Sequence, residues 1–241
     1  MAELRRLLLD PGRLKQADQQ LIALERQERH YIERVLRLRP GAAFAVTDGC
    51  GRLYEATLLD GGLARLTSCG EQRPAAKLQL VLLLGLMRKD VEITLRMATE
   101  LGVDRIVPMQ AERSQTNPGE QRRERWCAQL REASEQCERL WLPQLESVRP
   151  STTALADPMP SGAQRWIGVT RQQDVPLLQE RLASLADAGE QWQIACGPEG
   201  GWSPQELEIA AANHWQPVSL GPTVLRASTM RLKRWRPSDA K

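Results

Sequence analysis

Histidine, aromatic residues and paired cysteines are scarce in this sequence. Of its 241 residues, two are histidines (His30 and His214), aromatic residues make up 4%, and the five cysteines form no Cys-x-x-Cys motif. Zinc sites need histidine or paired cysteines, and Ser–His or Cys–His nucleophiles need histidine, so the sequence disfavours a bound metal and covalent catalysis. An odd cysteine count also disfavours a disulfide framework. We therefore expect reduced thiols and a cytoplasmic location.

Long hydrophobic runs and a strong overall charge are also missing. No stretch approaches the roughly 18 apolar residues of a membrane-spanning helix, and the run Leu7–Leu9 is too short for a signal peptide, so we expect no membrane partner. The net charge is +3. Residues 226–241 carry six basic residues and one acid, whereas the rest of the chain is slightly acidic. Composition alone therefore predicts no broadly basic, RNA-binding surface.

The first part of the chain has the pattern of a small, mostly β domain. Turn signals separate short segments, and Asp48–Gly51 predicts a hairpin turn between two of them. Helical periodicity covers Glu25–Leu38, and Gly70–Pro74 is interpreted as a linker. The predicted strands are Ala42–Thr47, Leu53–Leu59 and Leu63–Ser68. We therefore predict a first domain over residues 1–74.

From residue 75 onward, predicted strands and helices alternate. The run Leu78–Leu84 is apolar throughout, as expected for a strand buried on both faces. The other predicted strands are Val103–Met109, Arg165–Thr170, Gln191–Cys196 and Pro217–Leu220, and the predicted helices are Asp90–Leu101, Glu120–Trp141, Pro176–Ala188 and Pro204–Ala212. Such alternation predicts an α/β domain with a parallel sheet over residues 75–241.

A glycine-rich turn is the sharpest local motif. Gly197-Pro198-Glu199-Gly200-Gly201 follows a predicted strand, and Ser203, Pro204 and Glu206 have the spacing of a helix N-terminus. Ligands of open α/β sheets bind beyond the carboxyl ends of the strands. A second turn begins at Leu220-Gly221 after another predicted strand. The two turns either line one ligand crevice or are ordinary loops that never meet. Trp202, beside the first turn, is the tryptophan placed best to stack on a base.

With these two turns, the chain resembles the ribosomal RNA small subunit methyltransferase E family, which belongs to the SPOUT class. Four further blocks support the resemblance in the same order: His30–Leu38 with Pro40-Gly41 and Asp48-Gly49, then Thr99–Val103, Glu112–Ser114 and Ala133–Arg139. The resemblance implies an α/β trefoil-knot domain, a parallel sheet flanked by helices, preceded by a small PUA-like, RNA-binding β-barrel.

The resemblance also implies a reaction and a set of site residues. The reaction is methyl transfer from S-adenosyl-L-methionine to N3 of a uridine in 16S rRNA of the small ribosomal subunit, carried out by a homodimer. The cofactor-binding candidates are Thr170, Gly197, Pro198, Glu199, Gly200, Gly201, Leu220, Gly221, Val224, Leu225 and Arg226. The catalytic candidates are Arg226 and Ser228. The RNA-binding candidates are Arg5, Arg6, Arg34, Arg37, Lys89, Arg113, Glu135, Gln136 and Arg139, with Arg34 and Arg37 expected on one helix face.

The C-terminal segment departs from the family pattern and keeps alternatives open. Ser228 stands where the family usually has Glu, Thr223 replaces an Arg, and a short cationic stretch replaces the long last helix. One alternative is a non-catalytic RNA-binding or ribosome-assembly protein with the same fold. Another is a SPOUT methyltransferase with a different RNA target, such as a ribose 2′-oxygen. The ribose alternative is disfavoured because the Ser-Leu-Asn-type final motif of that group of methyltransferases is absent, and Arg226-Ala227-Ser228-Thr229 stands in its place.

Overall fold

A computed structural model describes residues 4–16, 20–114, 119–170, 172, 174–185 and 189–221. The chain divides into two units. The first comprises residues 1–75 together with 131–142, and the second comprises residues 76–130 and 143–241. The segment 131–142 was not expected in the first unit, and the predicted division at residues 74 and 75 stays a prediction.

A five-stranded sheet organises the first unit. The sheet has the order β1-β3-β4-β5-β2, with β1 parallel to β3 and the other pairs antiparallel. Phe44, Ile32 and Leu58 lie in its core. Its elements are β1 (Arg6–Leu8), α1 (Pro11–Gln16), β2 (Leu21–Ala23), α2 (Arg26–His30), β3 (Ala43–Thr47), β4 (Arg52–Leu58) and β5 (Leu63–Gln72). The predicted hairpin is confirmed as β3 and β4.

Two predictions about the first unit hold only in part. The first three residues of the predicted linker, Gly70–Gln72, belong to β5, because its pairing with β4 continues past two irregularities to Arg52 and Gln72. The predicted helix Glu25–Leu38 is a five-residue α-helix, α2, followed by a π-helical turn over Tyr31–Val35. Arg37 then adopts a left-handed φ of 56°, which ends the helical geometry. Arg34 and Arg37 therefore do not share a helix face.

A parallel sheet organises the second unit. Its main path has the order β12-β10-β11-β6-β7-β8, and β9 also pairs with β7. Each recorded pairing in it is parallel. The elements are β6 (Gln79–Gly85), α3 (Val91–Glu100), β7 (Arg105–Gln110), α4 (Glu120–Gln136), β8 (Gln144–Leu145), β9 (Arg149–Pro150), α5 (Ser151–Leu155), β10 (Ala163–Gly168), α6 (Leu178–Ala183), β11 (Gln191–Cys196), α7 (Pro204–Ala212) and β12 (Gln216–Val218). The expected α/β class is thereby confirmed.

Helix ends differ from the prediction where the backbone leaves helical geometry. α4 ends at Gln136 rather than Trp141, because Glu138 has a left-handed φ of 60° and Trp141 forms a β-bridge with Cys50. Gly102, at the C-terminus of α3, has the positive φ of 86° expected of a helix-ending glycine. No helix within the described ranges is both long and apolar enough to span a bilayer. The last segment needed for a knot, residues 222–241, lies outside the described residues.

Candidate functional site

The loops after five parallel strands meet at one edge of the second unit. Because β6, β7, β10, β11 and β12 run in the same direction, their carboxyl ends share that edge. The glycine-rich turn follows β11, and Thr170 lies two residues after β10. Since β10 lies between β11 and β12, the loop that carries Thr170 leaves the sheet between the turn and Leu220-Gly221. Parallel α/β sheets bind ligands at this edge.

The turn packs tightly on the end of β6 and stays open on its other side. A Cβ atom on Gly85 would lie 2.7 Å from the Pro198 nitrogen, so only glycine permits this approach. Gly197 and Pro198 are buried, whereas Glu199 and Gly200 are exposed. Gly201 has a φ of 72°, and a Cβ there would meet nothing within 4 Å. The turn therefore has a packed floor and an open, main-chain rim.

Trp202 fixes the turn to the neighbouring strand. Its side chain is 8% exposed, and its Nε1 donates a hydrogen bond to the Gly168 carbonyl at the end of β10, at 2.9 Å. A Cβ on Gly197 would lie 3.1 Å from the Trp202 ring. The ring thus forms part of the floor under the turn and is not exposed to stack on a base.

A buried carboxylate connects the turn to two other segments. Glu206, 1% exposed, accepts hydrogen bonds from the Glu112 amide (3.0 Å) and the Ser151 hydroxyl (2.5 Å) through Oε1. Its Oε2 accepts from the Ser203 amide at 2.7 Å. The predicted capping box of Ser203 and Glu206 is confirmed. The sequence predicted the cap. It did not predict the hydrogen bonds to Ser151, which lies 55 positions before Glu206, and to Glu112, which lies 94 positions before it.

Arg113 is the predicted RNA-binding residue in contact with the turn. It is exposed, follows β7, and its Nη1 donates to the Gly200 carbonyl at 3.2 Å. Lys89 is also exposed and follows β6. Both residues therefore extend from the carboxyl edge that carries the glycine turn.

The second predicted turn is described only at its start. Leu220 is buried and Gly221 is half-buried. The Val169 amide donates to the Val218 carbonyl at 3.0 Å, so the segment after β10 runs beside the end of β12. The predicted site residues Val224, Leu225, Arg226 and Ser228 lie outside the described residues.

These features fit an adenosyl group of S-adenosyl-L-methionine. Such a group needs apolar surface and main-chain hydrogen-bonding groups. At this edge, the apolar Leu220 follows β12 and an exposed glycine main chain follows β11. The open space at Gly201 leaves room for a ligand close to the backbone. In the part of the chain that is described, no group of three or more His, Cys, Asp or Glu residues could hold a metal ion.

The remaining predicted RNA-binding residues belong to the first unit. Arg5, Arg34 and Arg37 are exposed, and Arg139 is half-buried. Arg6 is engaged by Glu138: its guanidinium donates to the Glu138 carbonyl and carboxylate, both at 2.6 Å. Arg6 thus holds the segment 131–142 in the unit.

Glu135 and Gln136 border a small cleft of the first unit. Glu135 Oε1 accepts from the Leu8 amide at 2.7 Å, and Gln136 Nε2 donates to the Tyr31 hydroxyl at 3.3 Å. Burial raises the pKa of Glu135 from 4.5 to about 7, although the Leu8 hydrogen bond acts in the opposite direction. Burial also raises the pKa of Tyr31. Tyr31 was not predicted as a site residue.

Known protein families match both parts of the chain. Residues 74–232 match a family model described as an RNA methyltransferase domain, and residues 24–65 match an RNA methyltransferase PUA domain. The ribosomal RNA small subunit methyltransferase E of Synechocystis sp. is 34% identical over 238 residues, covering 93% of this chain and 73% of that protein. The protein of the same name from Mycobacterium tuberculosis is 30% identical over 204 residues, covering 81% and 77%.

A solved structure extends this similarity to the fold. The crystal structure of a ribosomal RNA small subunit methyltransferase E from Neisseria gonorrhoeae, bound to S-adenosyl methionine, has a TM-score of 0.79 and 26% identity, covering 95% of this chain and 94% of that one. A probable rRNA-methyltransferase from Porphyromonas gingivalis has a TM-score of 0.77 at 26% identity, with 93% of each chain covered. The resemblance found in the sequence is confirmed, and the chain belongs to the ribosomal RNA small subunit methyltransferase E family.

Proposed function

We propose that this protein transfers a methyl group from S-adenosyl-L-methionine to N3 of a uridine in 16S rRNA of the small ribosomal subunit. The observation that carries the proposal is the glycine-rich turn at the carboxyl edge of the parallel sheet, in a chain of this family. The Neisseria gonorrhoeae relative is bound to S-adenosyl methionine, which supports the same cofactor here.

The cofactor site proposed for this edge combines main-chain and apolar groups. Gly197–Gly201 form one wall, and Thr170 borders it from the loop after β10. The family resemblance assigns Leu220, Gly221, Val224, Leu225 and Arg226 to the other wall. Trp202 and Glu206 hold the first wall in place through the Gly168 and Glu112 hydrogen bonds. They are positioning residues, because they act on the turn rather than on the ligand.

The reaction makes two demands on the protein. Uridine N3 carries a proton and becomes a good nucleophile only when that proton leaves, so negative charge develops on the base oxygens. S-adenosyl-L-methionine supplies an electrophilic methyl group on a sulfonium. We assign stabilisation of the base oxygens to the permanent cation Arg226. The Ser228 hydroxyl is too weak a general base to remove the N3 proton itself. We therefore assign it to orient the uracil ring or a water molecule that accepts the N3 proton.

The proposal extends to organisation and partners. Residues 1–74, together with the segment 131–142 of the same unit, act as the PUA-like RNA-binding domain. The rest of residues 75–241 acts as the methyltransferase domain of a cytoplasmic homodimer. Arg5, Arg34, Arg37, Lys89, Arg113 and Arg139 contact phosphates, a role that positions RNA without reading its sequence. Their side chains are exposed or half-buried, which supports this role. Arg6, by contrast, is assigned to hold Glu138.

Two measurements on the full chain test the proposed activity. Calorimetric titration with S-adenosyl-L-methionine should show binding. Small subunits from a strain lacking this enzyme should gain N3-methyluridine when they are incubated with the protein and the cofactor, and mass spectrometry locates the modified nucleotide. Arg226→Ala should lower kcat about 10²- to 10³-fold, the effect of losing one charge-stabilising group. Arg231→Ala, in the same segment, is the matched control.

The alternatives predict different results. Absence of cofactor binding would support a non-catalytic RNA-binding protein and would overturn the proposed activity. Methylation at a ribose oxygen or at another base would retain the methyltransferase but overturn its target.

A further inference from the structure

The cleft beside Glu135 lies within the first unit and has a volume of about 380 Å³. Its lining includes Arg5, Tyr31, Glu135, Gln136 and Glu138. Small-molecule sites commonly measure about 300–1,000 Å³, so the volume suits one nucleotide-sized group. Tyr31 opens the π-helical turn, a local irregularity that often marks functional positions.

The polar groups of the cleft are held in fixed positions. The Leu8 amide orients the Glu135 carboxylate through Oε1, and the Arg6–Glu138 ion pair closes the neighbouring wall. Among the described residues, the hydrogen bonds of Glu135 involve Oε1 alone, so Oε2 is available to a ligand. Gln136 holds the Tyr31 hydroxyl, and the Tyr31 ring packs partly on the apolar core.

We propose that this cleft binds a single unstacked guanine of the RNA, with the Glu135 carboxylate accepting from its N1–H and N2–H groups. A carboxylate accepts hydrogen bonds and cannot donate them. Guanine is the RNA base with two adjacent N–H donors on its Watson–Crick edge, whereas adenine and cytosine place an acceptor beside the amine. Splayed single-stranded bases are typically stacked on aromatic rings, and Tyr31 provides one. The exposed Arg5 is placed for the adjoining phosphate.

The recognition should depend on pH, because only ionised Glu135 accepts from both donors. The pKa of this carboxyl, raised to about 7 by burial, places the change close to neutral pH. Leu8, Arg131, Glu132 and Glu28 also act on it: the Leu8 amide and the Arg131 charge favour the ionised form, and the two glutamates oppose it. Arg5 acts on Tyr31 in the same cleft. Guanine preference should therefore be larger at pH 8 than at pH 6.

The experiment uses the full chain and 5′-labelled uridine hexamers with one central guanine, inosine, adenine or cytosine. Fluorescence anisotropy at pH 8 should give guanine an advantage of about 5- to 100-fold over adenine, the range of a bidentate base contact. Inosine lacks the N2 amine and should lie between them. Glu135→Gln should remove the guanine advantage and its pH dependence. Glu132→Gln, an exposed neighbour on the same helix, should keep both.

The inference rests on the proposed RNA substrate but fails separately from the proposed methyl transfer. Equal affinity for all four hexamers, or an unchanged guanine advantage in Glu135→Gln, would overturn it. Cofactor titration of the same samples shows whether the methyltransferase site is intact. If Glu135→Gln does not fold, the pH profile of the wild-type protein still decides, because a guanine advantage equal at pH 6 and pH 8 contradicts the role of Glu135.

Discussion

At the scale of single residues, Glu135 combines a structural cost with a proposed recognition role. Its carboxyl group is largely buried, yet it borders a cleft and receives only one hydrogen bond recorded among the described residues, from Leu8. Burial raises its pKa to about 7, which means that ionising it in the folded protein is unfavourable. A glutamine would keep the acceptor for Leu8 without this cost.

Glu135→Gln should therefore stabilise the protein at alkaline pH. The folded pKa lies above the unfolded value, so folding favours the protonated form. The stability contributed by the protonated carboxyl is complete below pH 4.5 and is lost as the pH rises to about 7. At pH 8 the variant should exceed the wild type by about 1–3 kcal/mol, and at pH 4 the two should be similar.

Urea unfolding at both pH values measures this difference. Glu132→Gln serves as the control, because Glu132 is exposed. A Glu135→Gln protein whose stability follows the wild-type pH profile would contradict the raised pKa. The same measurement establishes that the variant is folded under the conditions of the RNA-binding test.

At the scale of elements, two buried tryptophans make equivalent hydrogen bonds at opposite ends of the strands of the parallel sheet. Trp202 and Trp215 lie in the same apolar cluster, and each donates Nε1 to a backbone carbonyl at 2.9 Å. Trp202 bonds to Gly168 at the carboxyl end of β10, whereas Trp215 immediately precedes β12. Comparing a substitution of Trp202 with the same substitution of Trp215 therefore distinguishes an effect on stability from an effect on ligand binding.

Phenylalanine at either position should lower the free energy of unfolding by a similar amount, but only the change at Trp202 should lower the affinity for the cofactor. Trp202→Phe and Trp215→Phe each lose one buried hydrogen bond and leave a carbonyl unsatisfied, which costs about 1–3 kcal/mol. Trp202→Phe should also weaken S-adenosyl-L-methionine binding, because the glycine turn loses its link to β10. Calorimetry and thermal unfolding measure the two effects. Equal cofactor affinity in both variants would show that the turn does not depend on Trp202.

Local signals in the sequence predicted most elements of the second unit but not their long-range contacts. Strand Gln191–Cys196 and helix Pro204–Ala212 have the predicted bounds. Glutamines alternate with Trp192 and Ile194 in the strand, and a capping box marks the start of the helix. The five-residue α5 was missed, since it is too short to show a period. The glycine turn was predicted as well. The contribution of Gly85 was not, because it depends on a close approach to Pro198, far along the chain.

At the scale of the whole molecule, the first unit is discontinuous in sequence. Residues 131–142 lie more than fifty positions after Ala75 but belong to it. Arg6 bonds to Glu138, the Gly51 amide donates to the Leu140 carbonyl at 2.9 Å, and Trp141 Nε1 donates to the Arg73 carbonyl at 3.1 Å. A linear sequence pattern cannot show such a contribution, which is why the sequence predicted a domain ending at residue 74.

A fragment of residues 1–75 should therefore be largely unfolded on its own. Without residues 131–142 it loses at least four hydrogen bonds, counting the one from Leu8 to Glu135, and an ion pair. Each hydrogen bond contributes about 0.5–1.5 kcal/mol, so the loss approaches the 3–5 kcal/mol that a core of this size supplies.

Linking residues 131–142 to the fragment through a flexible Gly/Ser segment should restore a cooperative thermal transition. The same fusion with Glu138→Ala and Trp141→Ala should melt at a lower temperature, because it keeps the chain length but loses two of the side chains that bind the segment. A fragment 1–75 that melts cooperatively at the temperature of the fusion would show that the sheet and its core hold the unit together without the segment.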